Sequence, residues 1–246
     1  MEKKHVKLGT WLASGSIVAA EIASLFAFDW YLVDEEHGAV SDGDILQILR
    51  ALEPVKKEVI VRVAGHDANK ISKYLDWGAT GIMVPHVSNV EQAKTCVDAM
   101  RYPPTGHRGY SSSVRAYGYG THIPSESSAV KPRCIVQIED IAGVKNSNAI
   151  AAVDGVDILF VGPADLKMAL SVQGDGEQIS YPQALELIVN AAKTNGKITG
   201  ILVRDKNDLG SLVDLGFDFI AMDSDVAILR KGFDSLMEYS TSSFLK

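Results

Sequence analysis

The sequence predicts a single (β/α)8 barrel. Eight short, nearly continuous apolar runs recur along the chain, stretches of helical periodicity lie between them, and 246 residues is a usual length for eight such units. The runs cover 6–12, 31–34, 59–63, 81–85, 134–139, 158–161, 198–203 and 219–222. Apolar residues without alternation mark strands covered on both faces, as in a parallel sheet wrapped by helices. An open doubly wound sheet is the competing architecture. It ordinarily carries a G-x-G-x-x-G turn after its first strand, and no such turn or Walker A loop occurs here.

The helices follow in order. The span 16–27 is rich in small residues, with Ser16 placed as its N-cap. Span 42–52 follows Ser41 and sets Ile45, Leu46, Ile48 and Leu49 on one side. Spans 69–77 and 90–100 follow the third and fourth runs, and 182–194 opens with proline in its first turn. Spans 207–215 and 225–239 complete the set. Short links such as Asp76-Trp-Gly-Ala, Asp154-Gly-Val-Asp and Leu215-Gly-Phe-Asp lead from a helix end into the next strand. The segment 101–132 breaks the rhythm. It is a long Tyr-, Ser- and Gly-rich loop within the single domain 1–246, and its tyrosines and arginines argue against plain disorder.

Composition narrows the function. With 46% hydrophobic and 22% charged residues the chain has ample core, and a formal charge of −7 disfavours nucleic acid as a partner. No apolar run is long enough to span a membrane, and the start lacks the apolar stretch of a secretion signal. Cys96 and Cys134 make no disulfide scaffold, so a reducing cytoplasm is expected.

In such a barrel the chemistry lies at the carboxyl ends of the strands. The polar residues there are Asp34-Glu-Glu-His37 after the second strand, Arg62 in the third, Gln137 and Glu139 in the fifth, Gly162-Pro163-Ala164-Asp165 after the sixth, and Asp223-Ser-Asp225 after the eighth. Glu139 and Asp165 are two hard oxygen donors that suit Mg²⁺ or Mn²⁺, or else acids that cap the helices following them. His37 is the natural acid/base group, with Asp34 placed to orient it. The remaining histidines, 5, 66, 86, 107 and 122, read as structural. Arg62 ends an apolar strand, where it either captures a substrate oxyanion or pairs with Asp34, Glu36 or Glu139. Asp225 reads as the cap of the last helix, and both cysteines read as structural.

The ordered blocks Leu8-Gly-Thr-Trp-Leu, Phe28-Asp-Trp-Tyr-Leu-Val-Asp-Glu-Glu-His37, Val61-Arg-Val, Arg101-Tyr-Pro-Pro-Thr-Gly-His-Arg-Gly109, Val136-Gln-Ile-Glu139, Val156-Asp-Ile-Leu-Phe-Val-Gly-Pro-Ala-Asp-Leu166 and Gly200-Ile-Leu span nearly the whole chain. Together they make a sequence that resembles the HpcH/HpaI aldolases, metal-dependent pyruvate aldolases on a phosphoenolpyruvate/pyruvate-type barrel. The resemblance implies reversible cleavage of a 4-hydroxy-2-oxo acid to pyruvate and an aldehyde, with no organic cofactor. It implies Glu139 and Asp165 as ligands of Mg²⁺ or Mn²⁺ (Co²⁺ or Zn²⁺ being alternatives), His37 with Asp34 in acid/base catalysis, and Arg62 on the pyruvate enolate. Gln137 and the backbone of Gly162, Pro163 and Ala164 are then substrate contacts. A homo-oligomer is also implied, usually a hexamer built as a trimer of dimers with exchanged C-terminal helices. Oxaloacetate decarboxylation on the same site is the related alternative, and a barrel that only binds a 2-oxo acid is the non-enzymatic one. The chain departs from the family pattern at Asp223, where the family usually has glycine.

Overall fold

A computed structural model describes residues 6–122, 131–174 and 178–244, with the side chains of 240–244 left aside. Eight parallel strands close a barrel in sequence order: β1 (Lys7–Leu12), β2 (Trp30–Asp34), β3 (Glu58–Arg62), β4 (Gly81–Val84), β5 (Arg133–Ile138), β6 (Ile158–Val161), β7 (Ile198–Val203) and β8 (Phe219–Ser224). The predicted barrel is therefore the observed one. The helices are α1 (Ile17–Ser24), α2 (Asp42–Leu52), α3 (Ala68–Asp76), α4 (Val90–Met100), α5 (Ile141–Ala151), α6 (Pro163–Ser171), α7 (Tyr181–Thr194), α8 (Leu209–Leu215) and α9 (Asp225–Phe244).

Local chemistry sets most helix starts. Ser16 caps α1 by accepting from the Ala19 amide, and Ser41 and Ser180 form capping boxes with Asp44 and Gln183. Helix α1 stops at Ser24, short of the expected 27. Helices α5 and α6 are additions to the predicted set. Asp140 caps α5 through the Gly143 amide, and Pro163 stands in the first turn of α6. The polar links before the even strands also have a physical reason. Asp29 accepts from the Leu8 amide at 3.0 Å, Thr80 from Val59 at 2.8 Å and Asp157 from Cys134 at 2.8 Å. Each satisfies the amide of the second residue in the neighbouring strand.

Two apolar regions form the core. The larger lies between the strands and the helix ring, and includes Tyr31, Val33, Val61, Ile82, Val136 and Ile220. The smaller fills the barrel with Trp11, Trp30, Leu32, Ile60, Met83, Ile135, Ile158, Phe160, Phe219 and Ala221. Strand residues alternate between the two, so Ile60 and Arg62 share the interior side while Val59 and Val61 face the helices. Trp30 stacks on Phe219 with ring centroids 4.1 Å apart. It occupies space released by Gly9, where an added Cβ would lie 2.2 Å from the indole. Gly9→Ala should therefore lower stability by about 1–3 kcal/mol, read as a fall of several degrees in melting temperature.

The described part of the long loop, 101–122, is tied to α3 and its surroundings. Arg108 is buried, pairs with Asp76 at 2.6 Å and lies over the Tyr102 ring. Arg115 donates to the Trp77 carbonyl at 2.7 Å and to Glu53 at 2.6 Å. These contacts hold the loop against the outside of the barrel. The rest of the predicted loop includes 123–130, outside the described residues.

Candidate active site

The carboxyl ends of β2, β3 and β5 bring a buried polar cluster to one mouth. Asp34, Arg62, Gln137 and Glu139 are each no more than 3% exposed. Arg62 is held by a fork: Nε donates to Asp34 Oδ1 and Nη2 to Oδ2, both at 2.8 Å. Its Nη1 pairs with Glu36 Oε2 at 2.7 Å, and the guanidinium lies 4.4 Å from the Trp11 ring centroid. Two carboxylates and an aromatic face thus fix the cation, while two of its five N–H donors stay uncommitted by these pairs.

Of the two sequence readings of Arg62, the ion pair is the one that forms, with Asp34 and Glu36 as the partners. The expected pairing of Asp34 with the His37 ring is not what forms. The Asp34 carboxylate goes to Arg62, and it touches His37 only through the backbone amide at 3.4 Å. A buried guanidinium needs a bidentate partner more than an exposed imidazole does. The His37 side chain is 64% exposed, with Nε2 3.9 Å from Glu36 Oε1.

Glu36 is one of the partners expected for Arg62, and His86 is the residue of the cluster that the sequence reading misses. Glu36, with its side chain only 8% exposed, reaches Arg62, His37 and His86. His86, read as structural from sequence, follows β4 in the left-handed region at φ 53°. Its amide donates to Glu139 Oε1 at 2.7 Å, and its Nδ1 lies 3.0 Å from the same oxygen. Position at a strand end was the available signal, since His86 follows the fourth run just as Glu35 to His37 follow the second.

Glu139 is the electrostatic centre. Burial pushes its carboxyl above the ordinary range; the His86 amide and ring oppose this, and nearby Glu36 and Asp165 add to it. Gln137 donates Nε2 to Glu139 Oε2 at 2.5 Å, leaving its own Oε1 buried with no hydrogen-bond partner among the described residues. Gly162 lets this pair approach the turn into α6, since a Cβ there would lie 2.2 Å from Glu139 Oε2. The start of α6 has no side-chain cap, and Pro163, Ala164 and Asp165 form its first turn. Asp165 makes no capping hydrogen bond but stands as an acid in the first turn of α6, as the alternative reading had it, whereas Asp140 and not Glu139 caps α5.

The donor set suits a hard cation. Asp34, Glu36, Glu139 and Asp165 bring four carboxylates to the mouth, and Arg62 offsets part of that charge. No group of three or more His, Cys, Asp or Glu is placed to hold a metal ion among the described residues, so only a site completed by water and substrate fits. Glu139 and Asp165 would leave coordination positions to water and substrate, as hard divalent ions require.

At the opposite side of the mouth Asp225 does not act as the expected helix cap. Its carboxylate accepts from the Ala13 and Ser14 amides at 2.9 and 3.2 Å, tying the β1 loop to α9, while Ser224 Oγ accepts from Ala227 N at 3.3 Å and takes the cap position.

The family model for HpcH/HpaI aldolase/citrate lyase matches residues 7–231. The chain belongs to the HpcH/HpaI aldolase/citrate lyase family. It is 37% identical over 241 residues to the 2-dehydro-3,6-dideoxy-6-sulfogluconate aldolase of Pseudomonas putida, a match covering 96% of this chain and 93% of that protein. The 5-keto-4-deoxy-D-glucarate aldolase of Enterobacter sp. (strain 638) is 36% identical over 237 residues, covering 96% and 92%. Among solved structures, an HpcH/HpaI aldolase/citrate lyase family protein from Burkholderia cenocepacia J2315 superposes with a TM-score of 0.87 at 32% identity, covering 96% of this chain and 95% of the other. With aldolases as full-length relatives, this family member is an enzyme of the lyase class.

Proposed function

We propose that the chain is a divalent-metal-dependent aldolase that reversibly cleaves a 4-hydroxy-2-oxo acid into pyruvate and an aldehyde. The observation that carries this reading is the buried Glu139, raised in pKa by burial and set beside Asp165 and the fixed Arg62 guanidinium. Glu139 and Asp165 would hold Mg²⁺, Mn²⁺ or a similar ion. Such an ion supplies Lewis-acid polarisation of the 2-oxo group. Arg62, locked by Asp34 and Glu36, takes up the negative charge that develops on the enolate oxygen. His37 removes the C4 hydroxyl proton, so the C3–C4 electron pair moves into the enolate and the aldehyde departs. Protonation at C3 then releases pyruvate. Gln137 and the uncapped first turn of α6, from Gly162 to Ala164, meet the carboxylate end of the substrate.

The two curated relatives are named for acids that each carry a second acidic group, a sulfonate in one and a carboxylate in the other, which sets the class in which to seek the aldehyde. The apolar face of α9 supports a homo-oligomer, with Phe233, Leu236 and Met237 each at least 60% exposed in the single chain. Cys96 and Cys134 are buried free thiols and fit a reducing, cytoplasmic setting.

The test is pyruvate release from a panel of 4-hydroxy-2-oxo acids, with and without EDTA. Loss of turnover in EDTA and its return with Mn²⁺ or Mg²⁺ are expected. Full activity in EDTA would refute the metal-dependent reading, and oxaloacetate decarboxylation without any aldol cleavage would replace it with the decarboxylase.

A further inference from the structure

Strand β8 ends on an irregularity. Gly9 of β1 faces Ala221, but Trp11 faces Ser224, so Met222 and Asp223 together oppose Thr10. The Thr10 hydroxyl lies 3.1 and 3.4 Å from their two carbonyl oxygens. This is a β-bulge at a barrel rim, a device that re-aims side chains beside active sites. Asp223 sits at φ 56°, a conformation that glycine takes freely and that costs other residues strain. The backbone alone therefore asks for glycine here, and the carboxylate needs a separate reason.

That reason is a pair of cations. The bulge sets the Asp223 carboxylate between Lys231 Nζ at 2.5 Å and Arg204 Nη1 at 3.5 Å, with the Ser224 amide donating to it at 3.0 Å. Lys231 also donates to the Arg204 carbonyl at 3.4 Å, so it steadies the backbone that carries the arginine. Arg204 follows β7, two residues beyond Leu202, which packs on the barrel interior. It stands one strand along from the β6 turn that bears Asp165. Its side chain is 62% exposed and its contact with Asp223 is long, so most of the guanidinium fork stays available.

Arg204, Lys231 and Asp223 leave one positive charge over within this group, since the neighbouring Asp225 carboxylate is taken up by the Ala13 and Ser14 amides, and they stand apart from Asp34, Glu36, Glu139 and Asp165. An anionic tail on the departing aldehyde would be repelled by those acids and drawn to this corner. We propose that Arg204 is the binding residue for an oxyanion at the far end of the substrate's aldehyde half, with Asp223 and Lys231 as its positioning residues. The inference rests on the aldolase reading and adds to it what the acceptor carries and what reads it.

The experiment is condensation of pyruvate, with Mn²⁺, with glyceraldehyde and with three-carbon aldehydes ending in a carboxylate, a sulfonate or a phosphate. Wild-type protein should favour at least one charged aldehyde over glyceraldehyde in kcat/KM, and the three arms show which oxyanion it is. Arg204→Gln should lower that preference ratio roughly 10- to 100-fold, mainly through KM, as expected for loss of a charge-assisted contact. Arg204→Lys should recover part of it. Asp223→Gly, which the left-handed backbone accepts, should keep the fold and lose part of the ratio. An unchanged ratio in Arg204→Gln, or an equal fall on every aldehyde through kcat, would overturn the subsite while leaving the aldolase intact. No condensation with any aldehyde by wild-type protein would instead remove the aldolase reading, and the subsite with it.

Discussion

Arg62→Met should lower kcat for pyruvate formation by about 10²–10³-fold, the range seen when a preorganised donor to a developing oxyanion is removed. It should also destabilise the fold by roughly 3–5 kcal/mol, because Asp34 and Glu36 are then left buried without their cation. Arg62→Lys separates the two effects. A lysine restores charge but cannot reproduce the fork across both Asp34 oxygens. It should recover most of the stability and little of the rate. Urea unfolding midpoints and steady-state kinetics on the same preparations decide the matter. A lysine variant with wild-type kcat would show that Arg62 acts as a counter-ion and not as a positioned donor.

Removing the divalent ion should abolish turnover and make stability depend on pH in a predictable direction. The Glu139 carboxyl is raised mainly by burial. For an acid raised in the folded state, the stabilising contribution is fully present below the ordinary glutamate pKa. It is lost as pH rises through the folded value. Metal-free wild-type protein should therefore weaken from acidic to neutral pH relative to Glu139→Gln, which has nothing to ionise there. Added Mn²⁺ should reverse that trend for the wild type, since it binds the ionised carboxylate and stabilises by mass action. The glutamine variant should gain little and should lose at least 10²-fold in kcat, by analogy with losing electrostatic stabilisation of the enolate. Midpoints at pH 5 and pH 8, with EDTA or Mn²⁺, contain the whole comparison. A wild-type midpoint indifferent to Mn²⁺ at both pH values would contradict it.

The barrel was legible because its strands are buried on both faces, which writes them as apolar runs such as Val59–Ile60–Val61 that few other folds repeat eight times. The serines at 16 and 41 and the proline at 182 start helices for local reasons, and local reasons are visible in sequence. Helices α5 and α6 were less visible because α5 (IAGVKNSNAIA) mixes small and polar residues, and α6 depends on a proline and a glycine turn for its start. At the site, Arg62 and Glu139 stood out as charges inside apolar strands. Which of Asp34, Glu36 and Glu139 would pair with Arg62 did not, because the choice joins strands 28 residues apart and depends on which buried charge most needs a fork. His86 was hidden for a similar reason, since its role comes from the turn that folds it over Glu139.

Trp11 adds a practical consequence. It is 5% exposed beneath the Arg62 guanidinium, whereas Trp30 is stacked inside the barrel and Trp77 lies beside Lys73 at α3. One of the three indoles is thus a fluorophore built into the floor of the mouth. Any oxyanion or cation that shifts Arg62 changes the electric field at that ring, so occupancy can be followed as a change in emission, without a label and without waiting for chemistry.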